Sequence, residues 1–147
     1  MIAPRLSTET LHASTVALDG RAVLISGPSG SGKSDLALRL LDRGFTLVSD
    51  DQTIVRRDRD RLVAAAPPTI AGKMEVRGIG IVDMATAGDT PVALLVELTS
   101  DVERIPDDGR ERPILGVPIP LVAIDAMAAS APSKVALALD RIGLRLP

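Results

Sequence analysis

The chain has 147 residues, a hydrophobic share of 46%, and 17 basic against 19 acidic side chains for a net charge of −2. That length and composition fit one domain over residues 1–147 with a core of its own, and they exclude wholesale disorder. With no Cys, one His (His12) and one aromatic residue (Phe45), the chain has no thiolate chemistry, no His-cluster metal site and no base-stacking platform; nor does it carry the basic excess of a nucleic-acid binder.

The opening residues, MIAPRLSTETLHAS, lack the apolar core of a signal peptide. His12 to Leu18 reads as a strand, Asp19-Gly20 as a hairpin turn, and Arg21 to Ser26 as a buried return strand. A Gly-rich loop covers Gly27 to Gly32. Lys33 to Arg43 has helical spacing, with Leu36, Leu40 and Leu41 on one side, Leu38 widening the face, and Gly44 placed at C′.

Phe45 to Ser49 predicts a second buried strand ending in Asp50-Asp51, and Gln52 to Arg57 continues extended. Arg56 to Arg61 reads as a charged turn before a short strand, Leu62 to Ala65. Pro67-Pro68 breaks the chain. Met74 to Met84 mixes apolar alternation with Gly78 and Gly80, and Val92 to Leu98 is a third apolar strand. Asp101 to Arg112 predicts a charged loop, Ile119 to Ile124 a further strand, and Ser133 to Ile142 a helix capped by Ser130 or Ser133. Pro113 to Ser133, the longest weakly charged stretch, holds four prolines and Asp125, which excludes a membrane helix there. A cytoplasmic protein with no membrane partner is expected. Apolar strands flanking a helix predict an α/β fold with a mixed sheet around a βαβ unit.

The sharpest signal is Gly27-Pro28-Ser29-Gly30-Ser31-Gly32-Lys33-Ser34, which fits G-x-x-x-x-G-K-[ST] between a strand and a helix. Glycines let backbone N–H groups turn inward around a phosphate, and the helix N-terminus adds partial positive charge. Lys33 is placed to sit between the β- and γ-phosphates of ATP, and Ser34 to offer its hydroxyl to Mg²⁺. Nucleotide binding alone leaves kinase, ATPase and switch GTPase open.

Asp50-Asp51 follows the end of a neighbouring strand, so the pair and the loop are expected in one crevice. A carboxylate there can hold Mg²⁺ or take a proton from an attacking hydroxyl. Glu97, one residue before the end of VALLVEL, is an alternative ligand.

Together these motifs make the sequence similar to the catalytic domain of the HPr kinase/phosphorylase family, in the short form without the N-terminal domain. Four segments carry the resemblance in order: Leu11-His12, the loop GPSGSGKS, RGFTLVSDD at Arg43 to Asp51, and EVRGIGIVDM at Glu75 to Met84. The resemblance implies a P-loop kinase fold, similar also to the nucleotide-binding fold of phosphoenolpyruvate carboxykinase. It implies an ATP- and Mg²⁺-dependent protein-serine kinase acting on an HPr-like phosphocarrier, as a homo-oligomer. Asp51 would be the base, Asp50 would sit near the metal, and Glu75 and Ser34 would be metal ligands. His12 would contact the transferred phosphate or orient the aspartate, and Arg77 and Gly78 would lie beside the phosphates.

Two departures from the family stand out. Its Arg after the VALLVEL-type strand is best matched by Arg104, with Arg110 and Arg112 close by. Its Pro-Val-x-Pro-Gly-Arg loop, linked to dephosphorylation, is Ala-Ala-Ser-Ala-Pro-Ser-Lys at residues 128–134, with Lys134 the only cation. Phosphorolysis is therefore expected to be the weaker activity. The competing readings are a small-molecule P-loop kinase and a non-catalytic ATP-sensing module.

Overall fold

The computed structural model describes residues 7–146. Its strands are β1 (Thr8–Leu11), β2 (Ala13–Leu18), β3 (Arg21–Ser26), β4 (Thr46–Ser49), β5 (Thr53–Asp58), β6 (Arg61–Ala65), β7 (Lys73–Val76), β8 (Gly80–Asp83), β9 (Thr90–Leu98), β10 (Glu111–Ile114) and β11 (Val117–Ile124). The helices are α1 (Lys33–Leu41), between β3 and β4, and α2 (Ala131–Ile142). Among the described residues, no helix is long and apolar enough to cross a membrane.

Nine strands form one mixed sheet, ordered β1-β5-β6-β9-β3-β2-β4, with β10 and β11 joining through β9. β9 is the hub. It runs parallel to β3 on one side (Leu24 opposite Leu95). On its other side its first residues pair antiparallel with β6 and its last run parallel to β11. Sharing one edge between two partners makes the sheet curl.

β2 lies between β3 and β4 and is antiparallel to both. Its turn into β3 uses Asp19 at φ 52° and Gly20 at φ 76°, a type I′ pair matching the twist of a hairpin. β3, α1 and β4 thus form a βαβ unit, with one antiparallel strand inserted between its two strands.

Strand alternation divides the core. Val23 and Ile25 pack with Leu36, Leu40, Leu94, Val135 and Leu139 beneath the two helices. Ala22 and Leu24 point the other way, onto Val55, Leu62, Leu95 and Ile119 inside the curl. Phe45 is buried at the end of the turn that reverses the chain after α1.

Several boundaries differ from expectation. His12 sits between two strands rather than opening one, because Thr8–Leu11 pairs with β5. β5 runs on to Asp58, so the charged turn shrinks to Arg59-Asp60. α1 ends at Leu41, two residues short of Arg43, with Leu36, Ala37 and Leu40 fully buried and Leu38 and Leu41 half-buried. The Met74 to Met84 stretch folds as a separate two-stranded hairpin, β7 with β8. Glu111–Ile114, whose first two residues are expected to close the charged loop, pairs with β11. It carries Pro113 and lies at the sheet's edge, where a missing N–H is tolerated. α2 begins at Ala131, with Ser130 as its cap position.

Leu36 has no exposed surface and joins α1 to the sheet. Leu36→Ala is expected to lower stability by about 3 kcal/mol through lost burial and a residual cavity. Urea unfolding followed by circular dichroism measures it.

Candidate functional site

The loop from Gly27 to Ser34 leaves the C-terminal end of β3 and enters α1. Ser31 N–H closes a turn on the Pro28 carbonyl at 3.0 Å, and Leu36 N–H starts the helix on the Gly32 carbonyl at 2.9 Å. Two glycines are required by contact. A Cβ on Gly27 would stand 2.6 Å from Ser31 Oγ, and Gly32 combines φ +99° with Ala126 Cβ only 3.2 Å from where a side chain would start.

Lys33 is 5% exposed, and its Nζ donates to the carbonyls of Gly27 (2.9 Å) and Pro28 (3.1 Å). Among the described residues it has no carboxylate partner. Ser31 Oγ is buried without any hydrogen bond. A buried ammonium hydrogen-bonded only to neutral carbonyls, beside an orphan hydroxyl at a helix N-terminus, suits a polyphosphate anion.

The aspartate pair sits next to this loop but points two ways. Asp50 is 6% exposed. Its Oδ1 accepts from Ser34 Oγ at 2.6 Å and from Ser14 Oγ at 2.9 Å, and its Oδ2 accepts from Glu75 N–H at 3.3 Å. Three elements, α1, β2 and β7, therefore converge on one carboxylate. Oxygen donors of this kind suit a hard cation such as Mg²⁺.

Asp51 faces solvent, its side chain 61% exposed, with Oδ1 2.8 Å from His12 Nε2. Its φ is +67°, and Gln52 N–H bonds back to the Asp50 carbonyl at 2.7 Å. That is the positive-φ form of the γ-turn, uncommon for a residue with a side chain. Ser49 Oγ buttresses the turn by donating to the Gln52 carbonyl.

Strand polarity explains the gathering. β2 is antiparallel to its neighbours, so its first residues lie beside the C-terminal ends of β3 and β4: Ala13 is opposite Ser26, and Thr15 is opposite Ser49. His12 and Ser14 thereby enter the crevice at the strand ends.

Of the other residues singled out from sequence, Glu75 lies on β7, its backbone tied to Asp50 and its side chain exposed. Among the described residues, no three His, Asp or Glu side chains gather in metal-binding geometry. Arg77 and Gly78 form the tip of the β7–β8 hairpin, with Gly78 at φ +89°. Arg104 is exposed in the loop after β9 and, among the described residues, bonds to neither the phosphate loop nor the aspartates. Arg112 pairs with Glu97 at 2.5 Å, so each is the other's charge partner. Arg110 lines a cleft of about 260 Å³ with Asp107, Asp108 and Glu111, apart from the phosphate loop. Lys134 is exposed on the first turn of α2.

Sequence reasoning missed two residues. Ser14 is buried and bonded to the aspartate turn. Arg39 reaches from α1 to the carbonyls of Ala126 (2.5 Å) and Ala128 (3.4 Å), pinning the loop whose Ala126 touches Gly32. The only signal for Ser14 was a hydroxyl, beside that of Thr15, in a strand of otherwise apolar residues; Arg39 gave none beyond its helical position.

Comparison with known proteins decides the family. The model of the HPr Serine kinase C-terminal domain matches residues 5–138. The chain belongs to that family. It is 40% identical over 136 residues to the HPr kinase/phosphorylase of Limosilactobacillus reuteri (strain DSM 20016), covering 84% of this chain and 42% of that protein. It is 38% identical over 138 residues to that of Ralstonia nicotianae, covering 86% of this chain and 42% of that protein. The chain thus spans about two fifths of the length of these curated relatives. Among solved structures it resembles the Hpr(Ser) kinase/phosphatase from Coxiella burnetii, with a TM-score of 0.77, 29% identity, and coverage of 90% of this chain and 94% of that one. The mixed, curled α/β sheet is therefore the family's fold.

Proposed function

We propose that this domain is an ATP-dependent protein kinase that phosphorylates a serine of an HPr-like phosphocarrier. One observation carries the reading. A solvent-facing carboxylate, Asp51, stands beside His12, while its neighbour Asp50 turns inward to Ser34 of the phosphate loop. A module that only senses nucleotide needs no exposed base at that place. The names of the relatives support the acceptor.

In this reading the Gly27–Ser34 loop and Lys33 hold the triphosphate of ATP, with backbone N–H groups and one ammonium as the donors. Ser34 and Asp50 would hold Mg²⁺, with Glu75 beside them, and the ion would neutralise charge between phosphate oxygens. Asp51 accepts the proton of the acceptor serine hydroxyl as the serine oxygen bonds to the terminal phosphorus and the bond from that phosphorus to the bridging oxygen breaks, releasing ADP. His12 holds the Asp51 carboxylate in place by donating from Nε2. Arg104, on its exposed loop, reaches the site only if that loop folds inward over bound substrate. A domain of this kind works in the cytoplasm, where ATP and the acceptor are found.

Mg-ATP is expected to raise the melting temperature of the wild-type domain. The stabilisation is about 2.7 kcal/mol at roughly a hundredfold excess over Kd. Lys33→Ala is expected to abolish most of that shift. A wild-type protein unmoved by millimolar Mg-ATP would remove the nucleotide reading.

Asp51→Asn keeps shape and hydrogen bonding but cannot take a proton. Transfer of labelled phosphate from ATP to purified HPr is expected to fall on the order of 10² to 10⁴-fold, with the Mg-ATP thermal shift retained. Transfer at the wild-type rate would exclude Asp51 as the base.

Forward transfer is also expected to exceed phosphorolysis. Attack of inorganic phosphate on phosphoserine brings two anions together and calls for added cations. The loop over Gly32 offers none among residues 126–130, and Lys134 lacks the bidentate fork of arginine. Pyrophosphate release from phosphoserine-HPr, compared with the forward rate in the same buffer, is the measurement. Equal rates would contradict the expectation.

A further inference from the structure

We propose that Ser14 is a positioning residue that holds the two aspartates in their opposed orientations through one hydroxyl. The proposal rests on the reading of Asp51 as the base. Ser14 has no exposed surface, and it shares its strand with Ala13, Val16 and Ala17. The neighbouring buried hydroxyl, Thr15 Oγ1, is 2.8 Å from Thr53 Oγ1, which in turn donates to the Ala13 carbonyl at 2.9 Å. Those two hydroxyls tie β2 to β5. Ser14 bonds elsewhere: both of its hydrogen bonds go to the aspartate turn.

The division is set by chemistry. A serine hydroxyl has one proton and two lone pairs. Ser14 gives its proton to Asp50 Oδ1 at 2.9 Å and accepts the backbone N–H of Asp51 at 3.1 Å. The first bond, with that from Ser34, keeps the Asp50 carboxylate turned inward. The second fixes the peptide of Asp51, whose φ of +67° is one that few residues with a side chain adopt. With its peptide held, the Asp51 carboxylate stands at the solvent edge against His12 Nε2. Without the hydroxyl, the Asp51 N–H loses its acceptor and the turn can relax toward negative φ, swinging the base away from His12. Ser14 makes no side-chain hydrogen bond to the phosphate loop itself, and Asp50 keeps its bonds from Ser34 and Glu75 without it, so loss of the hydroxyl falls on the Asp51 turn first and on nucleotide affinity least.

The test compares Ser14→Thr with Ser14→Val, which have nearly the same shape and differ by a hydroxyl against a methyl. Both are assayed for phosphate transfer from ATP to HPr and for hydrogen exchange of the Asp51 amide by NMR. Ser14→Val is expected to lower kcat by about tenfold to a hundredfold, the scale of a misplaced reacting group, with KM for ATP within about twofold of wild type. The Asp51 amide of that variant is expected to lose its protection. Ser14→Thr is expected to restore both rate and protection.

Equal behaviour of the two variants in rate and exchange would overturn the proposal. So would a Ser14→Val protein that loses rate and Mg-ATP affinity together, since that marks a general structural role. Should neither β-branched variant fold, Ser14→Ala against wild type gives the same comparison. If the wild-type domain transfers no phosphate to HPr, the kinase reading fails while the exchange arm still decides Ser14. Loss of Asp51 protection only where the hydroxyl is missing supports the positioning role, and unchanged protection refutes it.

Discussion

A buried carboxylate organises this domain. Asp50 is almost out of water, and a charge in that position is tolerated only when donors replace its hydration. The donors come from three elements that do not adjoin in sequence: Ser14 on β2, Ser34 on α1 and the Glu75 backbone on β7. Meeting that one requirement brings the phosphate loop, the inserted strand and the hairpin into fixed relation. Removing any donor leaves charge unmet in a place water does not readily reach, so the sites these elements carry are coupled through it.

The same constraint separates two residues with identical side chains. Asp50 is buried and accepts three hydrogen bonds, whereas Asp51 has one side-chain partner and wide access to solvent. Sequence adjacency alone does not produce this. In a regular strand neighbouring side chains also point to opposite faces, but both would lie along the strand. Here the chain turns back at Asp51, with Gln52 bonded to Asp50, so that one carboxylate lies under the loop and the other stands at its mouth.

Much of this was legible beforehand, and for reasons that can be named. The Gly27–Ser34 loop, the Asp19-Gly20 turn and the apolar runs of β3, β4 and β9 rest on local rules, where backbone conformation and residue type are tightly linked. The sheet order was not legible, because pairings such as β1 with β5 or β6 with β9 join segments far apart in the chain. β10 hid behind Pro113 and its charges, whose edge position no local pattern announces. Within the site, Lys33, Ser34 and Asp50 could be placed together from strand-end logic. Ser14 and Arg39 could not, since a buried hydroxyl and a helix arginine acquire their partners only from tertiary packing.

Topology also explains where the acidic group comes from. In a sheet with β3 and β9 adjacent and parallel, the end of β9 would be the nearer source of a carboxylate for the phosphate loop, as Ser26 lies opposite Glu97. Glu97 is instead neutralised by Arg112 from β10. The carboxylate arrives from β4, on the far side of an inserted antiparallel strand. The inserted strand stays paired on both sides, in full register with β3 and with one irregularity at Thr15/Val16 against β4. It adds what a parallel neighbour cannot: the start of a strand at the end where ligands bind. A parallel strand would bring only its C-terminal residues there. The antiparallel one brings His12 and Ser14, one for the exposed carboxylate and one shared with the buried one. The polarity of a single strand thus sets which side chains can reach the crevice.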